Sequence, residues 1–198
     1  MGKLRTIYLA LLNRREKIAK KRDILMLIED YNKRLGKISV NNALWYLSRY
    51  NYTKRVFLDY YYINSIEERE KNICKCEERE LLFEVLNKEK IKWYLGLSSA
   101  LYELGDISQF PVVLTIINNK ISGNRRILGR KVRFIKIKES LIFGLISKKT
   151  ENKTTLFFSN PEKTNLDFAY FKISRKFSKN KKIKEYAKKY PKWIIKLI

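Results

Sequence analysis

Within residues 39–63 the apolar spacing changes period once, and that change narrows the folds open to the chain. Val40, Ala43, Leu44 and Leu47 recur at i, i+3, i+4 and i+7, the spacing that lines one face of a helix. Asn42, Trp45, Tyr46 and Arg49 fall largely on the opposite face. Ser39 is the expected N-cap, because its hydroxyl can accept a hydrogen bond from an unpaired first-turn amide. Beyond Tyr50, β-branched and aromatic residues make two short runs with Asp59 near the change of direction, which reads as a β-hairpin. A helix running directly into a hairpin inside a basic segment is how a winged helix-turn-helix ends. In that arrangement the helix enters the major groove and the hairpin is the wing. The pattern also suits an ordinary α+β domain in which Trp45 and Tyr46 pack against a neighbour.

Two helices are expected before this stretch. Residues 4–12 place Ile7, Leu11 and Leu12 inward, with Arg14 and Arg15 at the C-terminal end, where the helix dipole favours cations. Residues 21–33 carry Ile24, Leu27, Ile28 and Tyr31 at helical spacing, and Gly36 is the expected stop. Helix, helix, Ser-capped helix and hairpin complete the winged-helix order.

Charge narrows the partners. The 198 residues hold 44 Lys+Arg against 20 Asp+Glu, a formal net charge of +24. Such a surplus points first to nucleic acid, then to a membrane surface or an acidic protein. A Lys- and Ile-rich background composition accounts for part of the size, so the sign is more informative than the magnitude. With 45% hydrophobic residues the chain can bury a core. The absence of His removes the commonest general base and metal ligand. Cys74-Lys75-Cys76 has no further Cys or His to complete a zinc site and reads as part of a connecting segment. Neither a membrane-spanning run nor a signal-peptide core is visible, so a soluble, cytoplasmic protein is expected, with no cofactor and no metal.

Residues 59–90 are the one acidic stretch, with 9 acidic and 6 basic side chains, and read as a charged helical connector. Downstream, residues 93–104 read as an apolar helix ended by Gly105, and residues 112–117 as a buried strand. Residues 118–126 read as a basic loop, and residues 131–138 as an alternating, half-buried strand. Residues 141–146 and 154–158 are further strands. Asn160-Pro161-Glu162 opens a helix whose core side is Leu166, Phe168, Ala169, Tyr170 and Phe171. Ile183, Tyr186, Ala187 and Tyr190 follow at helical spacing, and the last residues from Trp193 to Ile198 are expected to dock on the body. The expected class is therefore α+β. An N-terminal winged helix-turn-helix (residues 1–64) and a connector (65–90) precede a mixed α/β domain (91–174) and a basic helical tail (175–198).

The second half also carries a likeness. Tyr94-Leu95-Gly96-Leu97-Ser98-Ser99-Ala100-Leu101-Tyr102-Glu103-Leu104-Gly105 leads into Gln109-Phe110-Pro111 and the strand at 112–117. Arg126-Ile127-Leu128-Gly129, Phe134, Phe143-Gly144 and Ser159-Asn160-Pro161-Glu162-Lys163-Thr164-Asn165-Leu166-Asp167 follow. In order and spacing this set resembles the AbiEi-type antitoxins over about residues 20–172. In the wing, Asn51 and Asp59 stand where that family has glycines, and the expected tip is Phe57-Leu58 rather than basic. The resemblance implies a winged helix joined to a mixed α/β domain and sequence-specific repression of the protein's own operon. It also implies antagonism of a nucleotidyltransferase-like toxin.

On the winged-helix reading, Asn41 and Asn42 are the candidates for base edges, since a carboxamide pairs bidentately with adenine. Trp45 shares their helix. Arg49, Lys54 and Arg55, with Lys20, Lys21 and Arg22 at the start of the second helix, are placed for phosphates. The partners expected are double-stranded operator DNA and a cognate toxin, with oligomerisation on DNA left open. A basic protein- or RNA-binding module is the alternative. A metal-dependent nuclease ranks third, because the acids Glu103, Asp106, Glu139, Glu151, Glu162 and Asp167 show no gathered arrangement.

Overall fold

A computed structural model describes residues 2–35, 39–173 and 181–196; the side chains of Arg34, Leu35 and Asn41 lie outside that description. Gly36 and the terminal Leu197 and Ile198 also lie outside the described residues. The chain divides into two compact units, residues 1–85 and 86–198.

In the first unit α1 (Gly2–Leu12), β1 (Ile18–Lys20), α2 (Lys21–Leu35) and α3 (Val40–Arg49) precede the hairpin β2 (Thr53–Phe57) and β3 (Tyr60–Ile63). The three strands form an antiparallel sheet in the order β1-β3-β2. This is a winged helix-turn-helix. Ile7 and Leu11 from α1, Ile24 and Ile28 from α2, and Ala43 and Leu47 from α3 meet in one core with Tyr61 and Ile63. Each of the Ile and Leu side chains taken from water contributes roughly 1.5–3 kcal/mol. Tyr8, which the helical spacing did not single out, is buried too and donates its hydroxyl to the Asn64 carbonyl at 2.8 Å.

The differences from expectation have local causes. Strand β1 is three residues long, too short to show a period, and exists by pairing with β3. Ser39 does occupy the N-cap position of α3, but its side chain makes no capping hydrogen bond. Asn51 has φ +57, the left-handed conformation that Asn tolerates better than most residues and that a glycine at this place would adopt freely. Phe57 is 7% exposed and folds inward, so the hairpin tip consists of Leu58 and Asp59.

After the wing, α4 (Ile66–Glu70) and α5 (Glu78–Lys88) follow. Helix α4 starts with a capping box, in which the Ser65 side chain accepts from the Glu68 amide and Glu68 accepts from the Ser65 amide. Glu68 is fully buried, and its carboxylate also accepts from the Tyr62 hydroxyl at 2.8 Å and the Lys75 amide at 2.9 Å. The acidic stretch is thus pinned to β3 through one of its own acids.

The second unit holds β4 (Trp93–Leu95), α6 (Ser98–Leu104), β5 (Val113–Asn118), β6 (Gly123–Ile127) and β7 (Arg130–Lys136). These lead through a 3₁₀ turn, Glu139–Leu141, to β8 (Leu145–Lys149), β9 (Thr155–Ser159), α7 (Pro161–Tyr170), α8 (Lys181–Ala187) and α9 (Lys192–Ile195). A mixed six-stranded sheet runs β6-β7-β5-β4-β9-β8. Its Tyr94, Ile117 and Phe157 pack with Leu166, Ala169, Ile183, Ala187 and Ile194 of the C-terminal helices.

Three expectations change here. The apolar helix at 93–104 is strand β4, a bend at Gly96, and then α6. A Cβ on Gly96 would collide with the buried Ile117 side chain, which would have to shift to admit one. The basic loop expected at 118–126 shrinks to residues 119–122, because Asn118 ends β5 and the edge strand β6 starts at Gly123 and closes on β7 through Leu128 (φ +50) and Gly129 (φ +85). The strand expected at 141–146 begins only at Leu145, after the 3₁₀ turn. Gly105 ends α6 in the left-handed conformation (φ +80), as a C-terminal glycine should.

Helix α7 carries a closed polar cluster. Its cap is the Asn160 side chain, which accepts from the Lys163 amide at 2.9 Å, with Pro161 in the first turn. Lys163 and Asp167, one turn apart, are 0% and 1% exposed and form an ion pair. The ammonium also donates to the Tyr94 hydroxyl at 2.9 Å, while the Tyr94 and Tyr190 hydroxyls donate to Asp167 at 2.8 and 2.6 Å. Burial pulls the Lys163 pKa below the usual lysine value, opposed by the attraction and hydrogen bond of Asp167. Every charge in the cluster has a partner, the condition under which a buried ion pair is tolerable.

The Glu68 anchor gives a pH-dependent expectation. Burial raises its pKa, but the Ser65 and Lys75 amides and the Tyr62 hydroxyl outweigh that and hold it below the ordinary glutamate value. A depressed folded pKa means that the stabilisation is present above the unfolded value, about 4.3, and is lost as pH falls through the folded one. Glu68→Gln should therefore be less stable at pH 7, by about 1–3 kcal/mol, with the gap narrowing below pH ~4. Urea titrations across pH measure this, and a gap that stays constant down to pH 3 contradicts it.

Candidate nucleic-acid interface

Helix α3 turns one face to the core, with Ala43 and Leu47 at 0% exposure. The other face is open. Asn42, Ser48 and Arg49 are exposed, and Trp45 is 59% and Tyr46 38% exposed. Trp45 meets Tyr46 edge-on at 4.9 Å, and Tyr46 stacks on Tyr50 at 6.0 Å, so the aromatic side chains form a connected surface along the helix. The far end of α3 is fixed by Arg69, which donates to the Tyr50 carbonyl at 3.2 Å and stacks over the Tyr52 ring at 4.2 Å. Asn42 and Trp45, in the first two turns, sit where a recognition helix contacts base edges. The Asn41 side chain lies outside the described residues.

The basic cluster at the start of α2 is held against the wing. Lys20 ends β1 opposite Tyr60, with its ammonium 5.3 Å from that ring. The Lys21 amide donates to the Asp59 carbonyl at 2.6 Å, which ties the first residue of α2 to the hairpin tip. Lys21 is half-buried and Arg22 exposed. Lys20, Lys21 and Arg22 thus form a basic group at the first turn of α2, beside the hairpin tip.

Two of the expected phosphate contacts are engaged within the unit. Lys54 pairs with Glu78 at 3.0 Å, both side chains about a third exposed. Arg55 is exposed but donates through Nε and Nη2 to the Leu58 carbonyl at 3.2 and 3.0 Å, bracing the tip. Leu58 needs that bracing, since its φ of +51 is unfavourable for a branched side chain. The structure thus brings Lys20, Lys21 and Arg22 to one end of the sheet and leaves Asn42, Trp45 and Arg49 on the open face of α3. It gives Lys54 and Arg55 internal partners. Tyr46 and Tyr50 belong to the same surface; helical spacing shows Tyr46 on the open face, but their stacking depends on side-chain geometry that spacing does not specify.

The acids weighed for metal chemistry are spread apart. Asp167 is buried with Lys163, Glu162 pairs with Lys182 at 3.4 Å, and Glu139 pairs with Lys92 at 2.5 Å. Among the described residues no three His, Cys, Asp or Glu side chains gather where they could hold a metal ion. No helix among the described residues is long and apolar enough to cross a membrane.

Among solved structures, the chain is similar to the RV2827C protein from Mycobacterium tuberculosis. The TM-score is 0.66 over 99% of this chain and 77% of that one, at 12% identity. At that identity the likeness is one of fold. No protein-family model and no curated protein matches the sequence.

If α3 reads DNA, substitutions on its open face fall into two classes. Asn42→Ala and Trp45→Ala should erode the preference for a specific duplex over a scrambled one, by about 1–3 kcal/mol for a paired carboxamide. Arg49→Ala should weaken both duplexes alike and flatten the log K against log salt slope by about 0.9. Equal losses on both duplexes for Asn42→Ala and Trp45→Ala would remove them from base reading.

Proposed function

We propose that the protein is a sequence-specific, double-stranded-DNA-binding regulator acting in the cytoplasm on its own operator. It would be the antitoxin of a toxin–antitoxin operon and would counteract a nucleotidyltransferase-like toxin. The observation that carries the DNA-binding part is the open face of α3, with Asn42, Trp45 and Arg49 exposed on a helix whose other face is locked into the core. The winged helix around it supplies the flanking cations of α2. The antitoxin part rests on the resemblance in the second unit. A partner with alternating phosphates also suits a chain whose net charge is +24.

On this reading α3 lies in the major groove and the start of α2 rests on the backbone. The wing is short and its tip is Leu58-Asp59, so on this reading the wing braces the helices more than it touches DNA. Affinity then comes mainly from phosphate contacts and falls steeply with salt, while selectivity comes from few side chains.

Fluorescence anisotropy of the full chain on the duplex upstream of its own coding sequence, against a scrambled duplex, tests this across a salt series. A preference of at least tenfold that persists at about 150 mM salt is expected. Equal binding to both, abolished by salt, would leave only a basic surface and overturn the operator reading.

A further inference from the structure

The second unit has an uncompensated cluster of cations on its sheet. Strand register places Arg126 of β6 directly opposite Lys131 of β7, and Asn124 opposite Arg133. The β5–β7 register sets Val113 beside Lys131 and Thr115 beside Arg133. Directly paired residues share a face, so Arg126, Lys131 and Arg133 project from one side of the sheet. Neighbouring strands are about 4.8 Å apart and alternate residues about 6.7 Å. All three are exposed, and none has an ion-pair partner among the described residues. Like charges directly opposite one another destabilise a strand pair, so this face is less stable as it stands than with an anion on it.

An apolar cavity adjoins the cluster. It has a volume of about 560 Å³ and is lined by Leu97, Ile107, Val112, Val113, Phe168 and Ile173 among others. A second cavity of about 330 Å³, lined by Asn124, Arg126 and Lys131, shares Val113 and Arg133 with it. Two large aliphatics stand exposed in the first cavity's lining, Val112 at 75% and Ile173 at 39%. Leu97 is held at φ +54, an uncommon conformation, with its side chain packed against Leu101 and Phe168. The groove therefore has an aliphatic half and a cationic half that meet at Arg133.

We propose that this groove is a docking site for an acidic segment of a partner protein, one that seats an aliphatic side chain beside Val112 and sets carboxylates on Arg126, Lys131 and Arg133. Charge complementarity requires an anion, and the aliphatic half selects a peptide over a nucleic acid. Bases bind by stacking on open aromatic faces. Phe110 is the aromatic residue at the rim, and it is already covered by the Arg130 guanidinium at 4.6 Å and met edge-on by Tyr102 at 4.9 Å. The other aromatic side chain of the lining, Phe168, is only 6% exposed. The site lies entirely in the second unit and does not depend on the DNA-binding reading.

A random peptide library displayed on phage and selected on the intact protein tests the proposal, followed by titration of the synthetic consensus peptide. The expected consensus has one Leu, Ile, Val or Met flanked by two or more Asp or Glu. Its affinity should drop at least tenfold in Arg133→Glu and in Val112→Asp, two exposed positions, and stay unchanged in Arg49→Ala. Arg133→Ala should give an intermediate loss, and circular dichroism should show that all variants remain folded. Three results overturn the proposal: no acidic–aliphatic consensus, a peptide indifferent to both groove substitutions, or groove variants that lose a labelled single-stranded 12-mer oligonucleotide while keeping the peptide. Upstream-duplex binding measured on the same variants separates this outcome from the operator reading, since groove substitutions should leave it intact.

Discussion

Strand β3 is the element on which the first unit depends. It is hydrogen-bonded on both edges, to β1 and to β2, and its four residues are all buried. Tyr61 and Ile63 enter the helical core, while Tyr62, pointing to the other face, donates to the buried carboxylate of Glu68. One short strand thus fixes the wing, the start of α2 through β1, and the acidic segment that follows. The position of α3 relative to the basic end of α2 is a consequence of that strand being satisfied on both edges and both faces. The surface that could face DNA needs little further machinery.

The second unit has its own anchor in Lys163, Asp167, Tyr94 and Tyr190, which joins α7 to β4 and to the chain beyond α8. Removing either ionised partner would strand a buried charge, at a cost of about 3–5 kcal/mol. The Pro-Glu-Lys-Thr-x-x-Asp segment that carries much of the family resemblance is the segment that supplies this anchor. Its chemistry here is structural: the cap, the ion pair and the Thr164 hydroxyl, which donates to the Asn160 carbonyl at 2.8 Å, all serve packing. That segment holds the fold, and the surfaces that would meet a partner are the ones the fold leaves open.

Much of the first unit was legible because amphipathic helices announce themselves. Ile24, Leu27, Ile28 and Tyr31, and then Val40, Ala43, Leu44 and Leu47, carry the helical period, and the β-branched and aromatic runs after Tyr50 mark the hairpin. Strands β1, β4 and β6 were not legible, for three different reasons. The first is too short to show a period. Trp93-Tyr94-Leu95 is buried throughout, so it does not alternate and merges with the helix after it. Gly123–Ile127 is a polar edge strand whose existence depends on its partner β7. For the candidate site, periodicity showed which residues of α3 face outward. It could not show that Lys54 finds Glu78, 24 residues away, or that Arg55 turns back on a backbone carbonyl. The i, i+4 spacing of Lys163 and Asp167 is visible in the sequence, but on a helix such a pair ordinarily reads as surface charge. Its burial depends on Tyr94 and Tyr190, far away along the chain.

Whether α3 reads DNA decides the proposed function. The most direct measurement is a crystal structure of the full chain with the duplex from upstream of its coding sequence. The expected complex has α3 in the major groove, Asn42 within hydrogen-bonding distance of a base edge, Trp45 against bases, and Lys21 or Arg22 on a flanking phosphate. A complex in which the duplex lies elsewhere and the aromatic face of α3 stays in solvent or on another protein would contradict it.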